Sequence, residues 1–92
     1  MLTQDQWTDL LCDTDPHDYP TPEAYIEELR NEAGILGCDL TPAQITRGKW
    51  QWAEVVRITL RSYPDCVKAE CWDPEAVQQV KDGGYQDYPD RS

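Results

Sequence analysis

Ninety-two residues with a formal net charge of −10 set narrow limits on this chain. At this length it makes one domain and buries about 60–70 % of the surface its unfolded form exposes, enough for a single core but not for a core plus a roomy substrate cleft. Eighteen acids against eight bases would repel nucleic acid and anionic membranes, so direct binding to either is not expected.

With no Phe and one Met, packing falls to four Trp, five Tyr and the Leu, Ile and Val residues. The first residues, MLTQDQWTDLL, lack a basic segment followed by an apolar one, so no secretory signal is read there. No run approaches the roughly 18 apolar residues of a membrane span. A soluble, cytoplasmic protein is the expectation. Charge is unevenly placed: residues 1–46 carry −9, residues 47–68 carry +3, and residues 69–92 carry −4.

Thr3-Gln4-Asp5-Gln6 fits a capping box and predicts a helix over 4–12, with Trp7, Leu10 and Leu11 on its apolar side. Asp5, Asp9 and Asp13 stand on the opposite side, one turn apart. DTDPHDYPTP (13–22) reads as an acidic loop without a regular element, holding Asp15, Asp18 and the only histidine, His17. Thr21 and Pro22 open a second helix with the apolar arc Tyr25, Ile26, Leu29 and Ala33. Glu23, Glu27, Glu28 and Glu32 flank that arc, and Gly34 is the expected stop. Thr41-Pro42-Ala43-Gln44 starts a short helical turn expected to stop or bend at Gly48.

The stretch TRGKWQWAEVVRITLR (46–61) holds four of the eight bases and two of the four tryptophans. On a helix Trp52, Val55, Val56, Thr59, Leu60 and Tyr63 share one face, and Trp50, Arg57 and Arg61 the other, with Glu54 between them. On a strand Trp50, Trp52, Val56, Ile58 and Leu60 share a face, with SYPD (62–65) as a hairpin loop. The neighbouring helix-start signals favour the helix. Asp73-Pro74 begins a last helix with Val77 and Val80 on its apolar side, ended by Gly83-Gly84. The fold expected is therefore all-α, a small compact bundle of about four short helices over residues 1–84, with a flexible tail over 85–92. The alternative is α+β with a hairpin at 50–72. Recurring Tyr-Pro and Pro-Glu-Ala read as turn and cap grammar rather than as a repeat.

Candidate chemistry is sparse. Cys66 and Cys71 lie five residues apart, which aligns them on neither a helix face nor a strand face. Cys12, Cys38 and His17 add ligand types without the pairwise spacing of a zinc site, so no metal and no cofactor are expected, and free thiols are the default. His17 beside Asp18 lacks a nucleophile that a motif would supply and reads as a solvated loop histidine. No phosphate-binding loop, dinucleotide fingerprint, nucleophile elbow or zinc-protease motif is present, and DTDPHD lacks the glycine and the twelfth-position glutamate of an EF-hand. An enzyme is not expected.

In composition alone the chain is similar in kind to phage-encoded inhibitors of the anti-CRISPR, anti-restriction or polymerase-binding type. The leading expectation is a non-enzymatic binding or inhibitory protein that engages a basic surface of a nucleic-acid-processing protein through Asp5, Asp9, Asp13, Asp15, Asp18, Glu23, Glu27, Glu28 and Glu32. One helix stripe advances about 6 Å per carboxylate, against about 3.4 Å per phosphate along a DNA strand. Mimicry of DNA would thus need the stripe, the loop and the second helix together. The alternative is an accessory domain binding a protein through Trp50, Arg57 and Arg61, since Trp and Arg are enriched at interface hot spots. A third reading is a cysteine-dependent metal or redox protein. The cations of 46–61 would otherwise compensate the acidic helices around them.

Overall fold

A computed structural model describes residues 2–62 and 71–85. Among these residues four α-helices run in order: α1 (Gln4–Asp13), α2 (Pro22–Ile35), α3 (Pro42–Ser62) and α4 (Pro74–Lys81). A single 3-10 turn, Pro16–Asp18, lies between α1 and α2. The all-α bundle is thus the architecture, and residues 50–62 are helical rather than the first strand of a hairpin. The SYPD loop, except Ser62, and Cys66 lie outside the described residues.

Each helix begins where its local chemistry dictates. Thr3 and Gln6 exchange side-chain and backbone hydrogen bonds at the start of α1, at 3.1 and 2.9 Å, and Thr41 and Gln44 do the same for α3. Thr21 and Asp73 accept from the amides of Ala24 and Ala76, each followed by a proline whose missing N–H costs nothing there.

Two expected stops move. α2 passes through Gly34 and ends with Gly37 in the left-handed region at φ 75°. Gly37 N–H donates to the Gly34 carbonyl and Cys38 N–H to the Ala33 carbonyl, the paired bonds of a Schellman ending. α3 likewise passes through Gly48 as one helix of 21 residues. Gly48 is buried against α2, where a Cβ would collide with Ile26 and lie 3.2 Å from Leu29 Cδ1. The glycine is there for close helix–helix approach, a tertiary demand that a local stop signal imitates.

The core lies chiefly between α2 and α3, where Tyr25, Leu29, Trp52 and Val56 are fully buried. Trp7 and Leu10 from α1, and Trp72, Ala76 and Val80 from the α4 side, close it. Tyr85, expected to begin the tail, packs against this core and donates its hydroxyl to Gln79 at 2.8 Å. The rest of the 85–92 tail lies outside the described residues.

Candidate functional site

The acidic loop is held on several sides. Trp52 Nε1–H donates to the Tyr19 carbonyl at 2.9 Å, and Trp72 Nε1–H to the Pro16 carbonyl at 3.3 Å. The Asp73 amide donates to the Pro20 carbonyl at 2.9 Å. Inside the loop the Asp15 carboxylate accepts from the His17 amide at 3.0 Å, and Tyr19 N–H closes the 3-10 turn onto Pro16. The two indoles meet edge to face, centroids 6.1 Å apart. A segment expected to have no regular element is therefore fixed by donors from α3 and from the residue pair that starts α4.

His17 is part of that fixing, not a solvated side chain. Its Nδ1 lies 2.9 Å from Asp15 Oδ1 and its Nε2 3.0 Å from Thr59 Oγ1, and its ring stacks on Trp72 at 5.4 Å. With Nδ1–H donating to the carboxylate, Nε2 accepts the Thr59 hydroxyl. The order carboxylate, imidazole, hydroxyl imitates a hydrolytic relay, and sequence reasoning found no hydroxyl for it. Thr59, however, is 4 % exposed, so that hydroxyl is closed to a substrate. The relay ties the loop to α3.

The loop's rigidity positions carboxylates. Asp5, Asp9 and Asp13 are exposed along α1, as are Asp18 in the loop and Glu23 and Glu27 on α2, while Asp15, Glu28 and Glu32 are half-buried. Burial raises the pKa of the Tyr19 phenol, and the negative charges of Glu28, Asp18 and Glu32 raise it further. Glu23 similarly raises the Tyr85 phenol, after burial. Asp15 is drawn inward instead, onto His17.

The cationic face of α3 is arranged differently. Arg57 pairs with Glu54, one turn earlier on its own helix, at 3.1 Å and donates to the Gly84 carbonyl at 3.4 Å. Trp50 is half-buried, with the Arg47 guanidinium 4.8 Å above its ring. Arg61 alone of the predicted trio is exposed. The expected compensation of acidic helices by Arg57 is instead a pair within one helix, of the kind that contributes about 0.3–0.5 kcal/mol.

A groove that sequence reasoning missed runs between α1 and the first half of α3. Its main cavity, about 350 Å³, is lined by Gln4, Trp7, Thr8, Leu11, Cys12, Arg47 and Gln51. A recess of about 90 Å³ continues it past Ala43 and Gln44. Cys12 and Cys71 are exposed free thiols and Cys38 a half-buried one. Among the described residues no three His, Cys, Asp or Glu side chains gather as metal ligands, and no helix is long and apolar enough to cross a membrane.

No family model matches the chain, and neither a curated protein nor a solved structure matches it.

Proposed function

We propose that the protein is a non-enzymatic binding protein that presents a preorganised acidic surface to a basic surface of another protein. The observation that carries this reading is the loop at 14–21, whose backbone is fixed by Trp52, Trp72 and Asp73 while Asp18 stands exposed. A surface ordered before binding loses little conformational freedom on association. Carboxylates on α1, the loop and α2 attract a cationic partner and accelerate encounter.

The partner class that fits is a nucleic-acid-processing protein, because a channel that binds the phosphate backbone is lined with Lys and Arg. The stripe Asp5–Asp9–Asp13, the loop and α2 supply together the carboxylates that one helix is too sparse to supply alone. Inhibition by occupying such a channel, in the manner of an anti-restriction or anti-CRISPR protein, is the corresponding biological role. The test is affinity capture at low and high salt with the wild type and a variant carrying Asp9→Lys, Asp13→Lys, Glu27→Lys and Glu28→Lys. A basic nucleic-acid-handling protein held at low salt, released at high salt and missed by the variant is the expected result. Capture unchanged by the four reversals would refute the reading.

A further inference from the structure

The end of α2 presents apolar side chains to solvent. Among the described residues three large apolar side chains are exposed, and two of them are neighbours here: Ile35 at 78 % and Leu36 at 48 %. Ile58 on α3, at 39 %, is the third. Single exposed apolar residues are ordinary on a protein surface, and this pair is set apart by its frame and its surroundings. The Gly37 and Cys38 amides close the helix end onto the Gly34 and Ala33 carbonyls at 3.0 and 2.9 Å. Ala33 and Cys38 join the core at this ending, which leaves Ile35 and Leu36 held on a fixed backbone outside it.

The charge leading up to the pair has one sign. Glu28, Glu32 and Ile35 recur at i, i+4 and i+7, so the acidic face of α2 runs up to Ile35. α2 carries four glutamates and one base, Arg30, whose guanidinium lies 4.0 Å from the Asp39 carboxylate. The last turn of α2 holds no basic residue, so the negative pole of the helix is not offset from within that turn.

We propose that Ile35 and Leu36 are the apolar anchor of the acidic surface, receiving a segment of the basic partner in which apolar side chains are flanked by lysine or arginine. Resting on the acidic-surface reading above, this adds the contact that holds the complex after encounter. Charge complementarity selects the occupant. Glu28, Glu32 and Asp39 disfavour an acidic segment, a second copy of this −10 chain included, and favour a cationic one. Exposed charges at a rim mainly speed association, whereas a desolvated apolar contact slows dissociation. Along the helix axis Glu32 and Glu28 lie about 4.5 and about 10.5 Å from Ile35, which sets the spacing between apolar and cationic groups that the partner must match.

The test uses the full-length ¹⁵N-labelled protein and two capped peptides of equal charge, titrated at low salt. One carries three lysines on each side of a leucine pair, and the other a serine pair in place of the leucines. Attraction by charge alone binds both alike. The anchor predicts that the leucine peptide binds about five-fold or more tightly than the serine peptide and shifts the amide resonances of Ile35, Leu36 and Gly37. Ile35→Ser, at a site too exposed to empty the core, should erase that preference, while Ile58→Ser should leave it. Equal affinity for the two peptides, or a preference lost in Ile58→Ser and kept in Ile35→Ser, would overturn the anchor and leave the acidic surface standing. Binding of neither peptide would overturn both. Sedimentation of the free protein gives the remaining outcome: a wild-type dimer dissociated by Ile35→Ser would assign the pair to a second copy and overturn the proposal.

Discussion

Between Thr14 and Thr21 it is the backbone that is tied, by two indole N–H groups, one amide and the His17 bridge, while Asp18 is left facing solvent. Along the second half of α3 the backbone is an ordinary helix and it is the charged side chain of Arg57 that is tied, to Glu54 and Gly84. Both segments stand out in the sequence for charge. In the first, Asp18 stays exposed on a tied backbone; in the second, Arg57 is taken up by its partners and Arg61 alone of the predicted trio is exposed. Charge patterning says where ionic side chains are, and the hydrogen bonds around them decide whether they are presented or consumed.

The sharpest way to break this contrast is to remove the donor that joins the two regions. Trp52→Ala should cost about 3–5 kcal/mol, since it empties a fully buried site and frees the Tyr19 carbonyl. Denaturant unfolding followed by circular dichroism would read it. The loss would be far smaller only if the surrounding side chains collapsed into the emptied site.

The two helical glycines sharpen the account of α3 next. Gly48→Val should destabilise by about 2–3 kcal/mol, because the added carbons meet Ile26 and Leu29. Gly34→Ala should stabilise by about 0.5–1 kcal/mol, since Gly34 lies inside α2 with nothing within 4 Å of an added Cβ. Opposite signs in the same unfolding assay would separate a packing glycine from a merely tolerated one.

His17→Ala should cost about 1–2 kcal/mol by leaving the buried Thr59 hydroxyl without its bond. Hydrogen exchange should show faster exchange at Tyr19 and Asp18 in that variant, with the α2 amides unchanged. Arg61→Ala, by contrast, should change stability by no more than about 0.5 kcal/mol.

Alkaline pH probes the floor beneath the loop. Tyr25 is fully buried, stacks edge-on with Tyr19, and its hydroxyl has no hydrogen-bond partner among the described residues. Burial raises its pKa above the ordinary 10.0, with Asp15 adding to the shift and Arg47 opposing it. Tyr19 and Tyr85 are shifted in the same direction. The folded state thus keeps protons that the unfolded state releases, so this stability is intact below pH 10 and is lost as pH rises further. Unfolding midpoints measured from pH 8 upward should fall beyond that point, and Tyr25→Phe should blunt the fall.

Much of this fold is legible in the sequence because helix starts are local. Thr3, Thr21, Thr41 and Asp73 each lie within four residues of the group they bond, and the prolines at 22, 42 and 74 mark the same places. What escapes the sequence depends on distant partners. Gly48 looks like a stop until Ile26 and Leu29 are placed against it. His17 looks solvated until Thr59, 42 residues away, and Trp72 close on it. The carboxylates are legible as a list, but the influence of Glu28 and Glu32 on Tyr19 depends on how α2 meets the loop. The groove has no sequence signal at all, since its residues match only once α1 and α3 lie side by side.

One measurement tests the contrast between the two charged regions directly: parallel affinity capture with the wild type, the four-site lysine variant and Trp50→Ala, each at low and high salt. The account predicts that the wild type and Trp50→Ala retain the same basic partner at low salt and that the lysine variant does not. Retention by the lysine variant together with loss in Trp50→Ala, insensitive to salt, would contradict it and move the binding surface to α3.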